Sequence, residues 1–386
     1  MGAPLTQAWI AALRWTPERR QLAREHAPLL ALVAAFALVS VGVQLSQGQV
    51  SSVKLLSVHS GLAMTSCLML VIGLTLHALW LLLRVPRGQR PLVWIPVELQ
   101  RRYLTERRLV GCALVQLSVP VFSSAWSGLK RLIPTLNPFS WDSTFAQADH
   151  VLHAGHDPWQ LLMPLMGTPW VTVATNVAYH LWYVVMLLIL AWQSFSSRRA
   201  VRFRFFMTFF LLWAIPGTLV ATVFSSAGPC FFDGVTQAAS PYLEQFAYLN
   251  RVDAAHGLPA LALQHELWEA HVSGAVQLKS GISAMPSMHV CMATLFCLVG
   301  FARSRWLGLP LAAFALWIQL GSVHLGWHYA VDGYVAAGLT LAIWWGVGRG
   351  MRAWGLKPTD LPERGGPPAE APSEVPSPPF REPRLC

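Results

Sequence analysis

Eight stretches of the chain are apolar for long enough to cross a bilayer as helices, which takes about 20 residues each. They run roughly over 27–45, 56–83, 109–129, 170–193, 204–224, 286–302, 306–325 and 329–348. The first reads as a signal anchor, because no convincing small-residue cleavage site follows it. Two of the segments between them are long, about 130–169 and 225–285, and loops of that length usually serve a purpose. Beyond about 357 the chain is rich in Pro and Glu and poor in large apolar residues, so a disordered tail is expected. The pattern predicts an all-α integral membrane protein. Its parts are an N-terminal segment at 1–26, two accessory helices and a basic loop at 27–108, a six-helix membrane domain at 109–350, and a tail at 351–386. There is no repeat of solenoid type.

Composition sharpens this reading. Of 386 residues, 54% are hydrophobic and 12% charged, with a mean hydropathy of +0.45; soluble domains carry about 25% charged residues. A net charge of +10 suggests a nucleic-acid partner until the basic residues are placed. With a cytoplasmic N-terminus, 23 of the 28 Lys and Arg fall in inside segments and 5 outside. That asymmetry is the ordinary signature of membrane orientation, so no nucleic-acid partner is expected. It predicts both termini in the cytoplasm and both long loops outside, in a plasma or inner membrane. The six cysteines are scattered, without metal-ligand spacing or a paired framework.

Two motifs at the predicted outer face carry candidate chemistry. The span near 286 opens with Ala284-Met285-Pro286-Ser287-Met288-His289. A proline suits a first helical turn, and the free N–H groups there form an anion site. The second motif, Ser322-Val323-His324-Leu325-Gly326-Trp327-His328-Tyr329-Ala330-Val331-Asp332, bridges the last two spans. His328 and Asp332 are spaced i, i+4 and share a helix face. A carboxylate on one ring nitrogen fixes the tautomer and leaves the other nitrogen nucleophilic. The same pair would also serve as an ion pair locking a hairpin.

Pro286-Ser287-Met288-His289, followed some forty residues on by His328-x-x-x-Asp332, resembles the second and third motifs of the type-2 phosphatidic acid phosphatase superfamily. The wider matches, Ala284 to His289 and Gly326 to Asp332, are similar to the inositol-phosphorylceramide synthase branch. Gly228-Pro229-Cys230-Phe231-Phe232 resembles an aromatic motif of that branch, placing Gly228, Pro229, Phe231 and Phe232 at the substrate pocket. The similarity covers roughly 125–350. It implies that His328 attacks phosphorus, Asp332 orients it, and His289 protonates the leaving alcohol. Ser287 and nearby N–H groups would hold phosphate oxygens, and neither a metal nor a cofactor is required. Where many members have Ser-Arg before the third motif, this chain has Gly321-Ser322. The first motif, Lys-x6-Arg-Pro, survives only as Lys130 through Asn137-Pro138. Lys130, Arg131 and Ser322 are therefore the remaining candidates for the phosphate.

The implied function is a lipid phosphate phosphatase or phosphotransferase, inositolphosphotransferase-like, acting at the outer face through a phosphohistidine. Its partners are a lipid phosphate, a water or alcohol acceptor, and the surrounding membrane lipids. A non-catalytic transporter or lipid-binding protein is the alternative. Among the other histidines, His150, His153 and His156 with Asp149 and Asp157 are expected in a solvated loop. His265 and His271 are expected on an amphipathic surface helix. His180 is expected to bond a neighbouring helix, and His324 to be a packing residue.

Overall fold

The structure, a computed structural model, describes residues 16–48, 52–274 and 281–355. The expectations for the first 15 residues and for the Pro-rich tail from 356 onward lie outside the described residues.

Apolar composition dictates the long helices. In order, α1 is Pro17–Ser46, α2 Ser52–Leu82, α3 Pro91–Arg102 and α4 Glu106–Lys130. Then come α5 Asp142–Leu152, α6 Pro158–Met166, α7 Pro169–Ser194 and α8 Arg199–Ala214. They are followed by α9 Leu243–His256, α10 Pro259–Ser273, α11 Met288–Arg303, α12 Arg305–His324 and α13 Ala330–Ala353. Among the described residues there is no strand, and seven helices are long and apolar enough to cross a membrane. Leu38, Met64, Leu68, Leu76 and Leu117 are among the large apolar side chains left exposed on them, as a lipid environment permits.

The expected span near 286–302 is shorter than the others. Helix α11 has 16 residues, about 24 Å at 1.5 Å per residue, against a hydrocarbon core of about 30 Å. Both of its ends are fixed by serines. Ser287 caps it, its Oγ accepting from the Val290 N–H, and the extended Ser304 ends it while capping α12 through the Leu307 N–H.

Helices α11 and α12 form a tight hairpin, and α13 packs back across α11. The accessory helices α1 and α2 lie against α4. The core between them is aromatic: Phe122, Trp182, Phe205, Phe206, Phe210 and Phe296 are all buried. After α8 the helix widens into a π turn over Ile215–Val220. Pro216 has no N–H to donate there, and the Thr218 Oγ1 donates to the Trp213 carbonyl at 3.0 Å. A Cβ on Gly217 would lie 3.0 Å from the Met288 sulfur, so this turn touches the start of α11.

The two long connections are not irregular loops. They fold into α5, α6, α9 and α10, which cover one end of the bundle. The Gln245 side chain of α9 donates to the Val323 carbonyl at 2.7 Å, and Gln264 of α10 donates to that of Leu325 at 2.9 Å. The α12–α13 turn is thus held from outside.

Candidate active site

The site begins with two helix starts placed side by side. The Ser287 N–H donates to the Asp332 carbonyl at 3.3 Å, which ties the start of α11 to that of α13. His289, in the first turn of α11, is sandwiched by Tyr179 and Trp182 of α7, each with its ring centre 4.4 Å away. The Trp182 indole N–H donates to the His289 carbonyl at 3.0 Å.

His328 sits in the turn before α13. Its N–H and that of Trp327 both donate to the Ser322 carbonyl, at 3.2 and 2.9 Å. Gly326 has φ +72 and packs so close to Phe246 that a Cβ would lie 2.4 Å from that ring; only glycine suits both demands. The His328 ring faces His289 with centroids 6.4 Å apart at 61°. Its Nδ1 lies 3.2 Å from Asp332 Oδ2. Asp332 is fully buried, and the same oxygen also accepts the Tyr329 N–H at 3.1 Å. The structure therefore brings His289, His328, Asp332 and Ser287 together, with His328 Nε2 left available for chemistry.

Two further carboxylates build this end of the molecule: Asp142, which no motif singles out, and Asp149, expected in a solvated loop. Asp142 and Asp149, two turns apart on α5, are 1% and 2% exposed. Asp149 accepts the N–H groups of Ala330 and Val331 at 2.6 and 2.9 Å. Those are free donors of the first turn of α13, which need an external acceptor. Asp142 accepts the N–H of Gly228 and the hydroxyl of Tyr329, both at 2.8 Å, and the N–H of Ala227 at 3.0 Å. Burial pushes the Asp149 carboxyl up to about 6, against the pull of its two N–H bonds. Burial likewise raises Asp142. The solvated loop expected here is thus a helix with a buried acidic face. The pattern that marks it is Asp142, Phe145, Asp149: spacing i, i+3, i+7 puts all three on one side.

The remaining predicted residues divide between support and open donors. Gly228 has φ +101, and a Cβ on it would lie 2.7 Å from the Trp327 carbonyl oxygen. The Cys230 N–H donates to the Gly326 carbonyl at 3.0 Å. Pro229 is buried, Phe231 stacks on Trp268, and Phe232 packs on Tyr242. This segment thus buttresses the turn that carries His328. Ser322 is fully buried, and its hydroxyl donates to the Gln319 carbonyl at 2.8 Å. Lys130 lies with its ammonium 5.4 Å from the centre of the Trp126 ring. The backbone of Arg131 meets Gly281, and its Nη1 is buried without a hydrogen-bond partner among the described residues. The Tyr179 hydroxyl and the Trp327 indole N–H are also buried without such a partner.

Other histidines fall as expected or are corrected. His265 is exposed on α10 beside Glu269, and His324 is buried with Nε2 2.9 Å from Thr172 Oγ1. His180 bonds the Asn176 carbonyl of its own helix at 2.7 Å rather than a neighbouring helix.

An apolar helical bundle with a buried His–Asp pair facing a second imidazole at one end defines an integral membrane protein with a histidine-centred site. A family model described as the PAP2 superfamily matches residues 143–346. That is more than half of the chain, and the chain belongs to this superfamily. The matched region runs from α5 through most of α13 and contains Asp149, His289, His328 and Asp332. No curated protein and no solved structure matches the chain. Membership supports a lipid phosphatase-type function, the hydrolysis of phosphoric esters.

Proposed function

We propose that the protein cleaves a lipid phosphate through a phosphohistidine on His328. The observation that carries this is the placement of the two rings, 6.4 Å apart, with Asp332 on the far nitrogen of His328. Attack on phosphorus and a hydrogen bond to the leaving oxygen each span about 3 Å. Asp332 holds the Nδ1 proton, and Nε2 attacks phosphorus in line. The N–P bond forms as the P–O bond to the lipid alcohol breaks, and His289 gives that oxygen its proton. Water or an alcohol then attacks the phosphohistidine, with His289 taking the proton back.

The phosphate oxygens would be met by a mixed set of neutral and cationic donors. Where many relatives carry an arginine, the buried Ser322 has its hydroxyl committed to Gln319. The unpartnered Tyr179 hydroxyl, Trp327 indole and Arg131 Nη1 are the groups for this task, beside Ser287 and Lys130. The absent arginine and the Gly228–Phe232 segment favour an inositol-phosphorylceramide synthase-like transferase. The segregation of basic residues toward the opposite end of the spans favours action at the outer face.

The test is purified protein in sealed, oriented vesicles, given labelled lipid phosphates from outside with and without alcohol acceptors such as inositol. The expected result is release of the phosphorylated or phosphate product, with transfer to the alcohol if the transferase reading holds. Lipid that is bound or moved across the bilayer unchanged would support a transporter or lipid-binding protein instead.

A further inference from the structure

At the end of the bundle away from the histidines, α1, α4 and α8 enclose a cavity of about 40 Å³. A single water needs roughly 10–15 Å³, so the cavity has room for about three oxygen-sized groups, as the exposed oxygens of a phosphate would need. Its lining includes Glu25, His26, Arg199, Ala200 and Arg202. Glu25 already receives Arg107 in one ion pair and Arg199, at 3.4 Å, in another. Among the described residues, Glu25 thus pairs with two arginines and also acts on Arg202, on which Arg107 and Arg108 act as further positive charges.

Arg202 is the telling residue. It is 5% exposed, yet no hydrogen-bond acceptor holds its guanidinium among the described residues. Its neighbours along the same helix do better: Arg204 donates to the Trp344 carbonyl at 2.7 Å, and Arg198 to that of Ala302 at 3.1 Å. A buried guanidinium without an acceptor is costly, and Arg202 is one of the residues that line the cavity. The backbone has been shaped to admit it, because a Cβ on Gly111 of α4 would lie 2.9 Å from Arg202 Nη2. Ala200 belongs to the first turn of α8, which has no side-chain cap. Its free N–H groups and dipole favour an anion in the same place.

We propose that this cavity is a binding site for a phosphate-bearing anion, separate from the histidine site and independent of the catalytic reading. Arg202 and Arg199 supply the charge-assisted hydrogen bonds, and α1 and α4 close the site over the start of α8. The shared chemistry is a phosphate group, whether on a membrane lipid headgroup or on a soluble ion; basic pockets between spans at a membrane face suit the former.

The test uses the full chain carrying His328→Ala, so that no bound lipid is turned over, in native mass spectrometry from detergent. The probes are dioleoyl phosphatidylglycerol, inorganic phosphate and, as the phosphate-free control, dioleoylglycerol. At least one phosphate probe is expected to bind and the control not to. Arg202→Gln should weaken that binding about tenfold or more. Gly111→Ala should weaken it too, with every charge kept, since the added methyl displaces the guanidinium. A lipid filling the histidine site would survive both substitutions and is counted separately. Binding of phosphatidylglycerol alone identifies a headgroup; binding of inorganic phosphate as well identifies a site open to soluble anions. If Arg202→Gln fails to fold, Gly111→Ala and Arg199→Gln carry the test. Unchanged affinity for both phosphate probes in folded variants overturns the proposal.

Discussion

The two ends of this bundle handle buried charge in opposite ways. At the histidine end, three buried carboxylates, Asp142, Asp149 and Asp332, are satisfied mainly by backbone N–H groups and by Tyr329. Asp142 and Asp149 are anchored by N–H and O–H donors alone, whereas Asp332 shares one oxygen between His328 and the Tyr329 N–H and has its Oδ1 buried without a partner among the described residues. At the other end, Glu25 receives Arg107 and Arg199, and the Arg202 guanidinium has no hydrogen-bond acceptor among the described residues. The hydrogen bonds of Asp142 and Asp149 fix the turn that carries His328 beside a few open donors, whereas the arginine end leaves positive charge to be met. The first end reads as preorganised for chemistry, and the second as built to receive an anion.

Substitutions at the first end should show that its rigidity serves catalysis. Next to the loss of His328 itself, the largest effect is expected from His289→Ala, which should slow turnover of a lipid phosphate by roughly 10²–10⁴-fold. A substrate with a good leaving group, such as nitrophenyl phosphate, needs little protonation and should recover much of that loss. An equal loss on both substrates would show that His289 is structural.

Gly228→Ala comes next. It forces a side chain into φ +101 and places a methyl 2.7 Å from the Trp327 carbonyl. Thermal or denaturant unfolding should show a loss of about 2–4 kcal/mol, with activity falling as the turn carrying His328 shifts. A neutral result would mean that the 228–232 segment does not support that turn.

Asp149→Ala should cost about 1–3 kcal/mol by stranding the Ala330 and Val331 N–H groups. Asp149→Asn, which keeps one acceptor oxygen, should cost less. Equal losses in the two variants would mean that the bonds to α13 are not what Asp149 contributes.

The last expected effect is a pH dependence. The folded-state value of Asp149 is raised to about 6, above the ordinary 3.8, so the folded protein holds this proton more tightly than the unfolded chain does. The stability this adds is fully present below about pH 3.8 and is lost as pH rises through about 6. Unfolding measured across that range should show the decline in the parent and a flatter profile in Asp149→Asn. Identical profiles would assign the decline to other groups.

Much of the architecture was legible in the sequence, because lipid imposes long apolar runs and little else mimics them. Seven expected spans appear as long helices, and the eighth shortens because Ser287 and Ser304 cap it at both ends. The His328–Asp332 pair was legible for the same local reason: i, i+4 spacing fixes proximity without knowledge of the fold. Asp142 and Asp149 were hidden because their value lies in partners 85 to 187 residues away. Their surroundings of His, Gly and Asp look like solvent-exposed loop. Tyr179 and Trp182 were hidden in another way: an aromatic inside a span looks like packing until the ring it stacks on is known. The arginine cavity was invisible in a tally that read the same residues as markers of orientation.

The claim at the centre of this account is that His328 bears the phosphoryl group, and trapping that intermediate tests it most directly. Protein mixed with ³²P-labelled lipid phosphate should be quenched within a turnover and separated under alkaline conditions. The account predicts label on the protein that survives base and is released by mild acid, as expected of a phosphorus–nitrogen bond. That label should be absent from a folded His328→Ala variant that no longer turns over. Label of the same amount on His328→Ala, or full turnover by that variant, would contradict it.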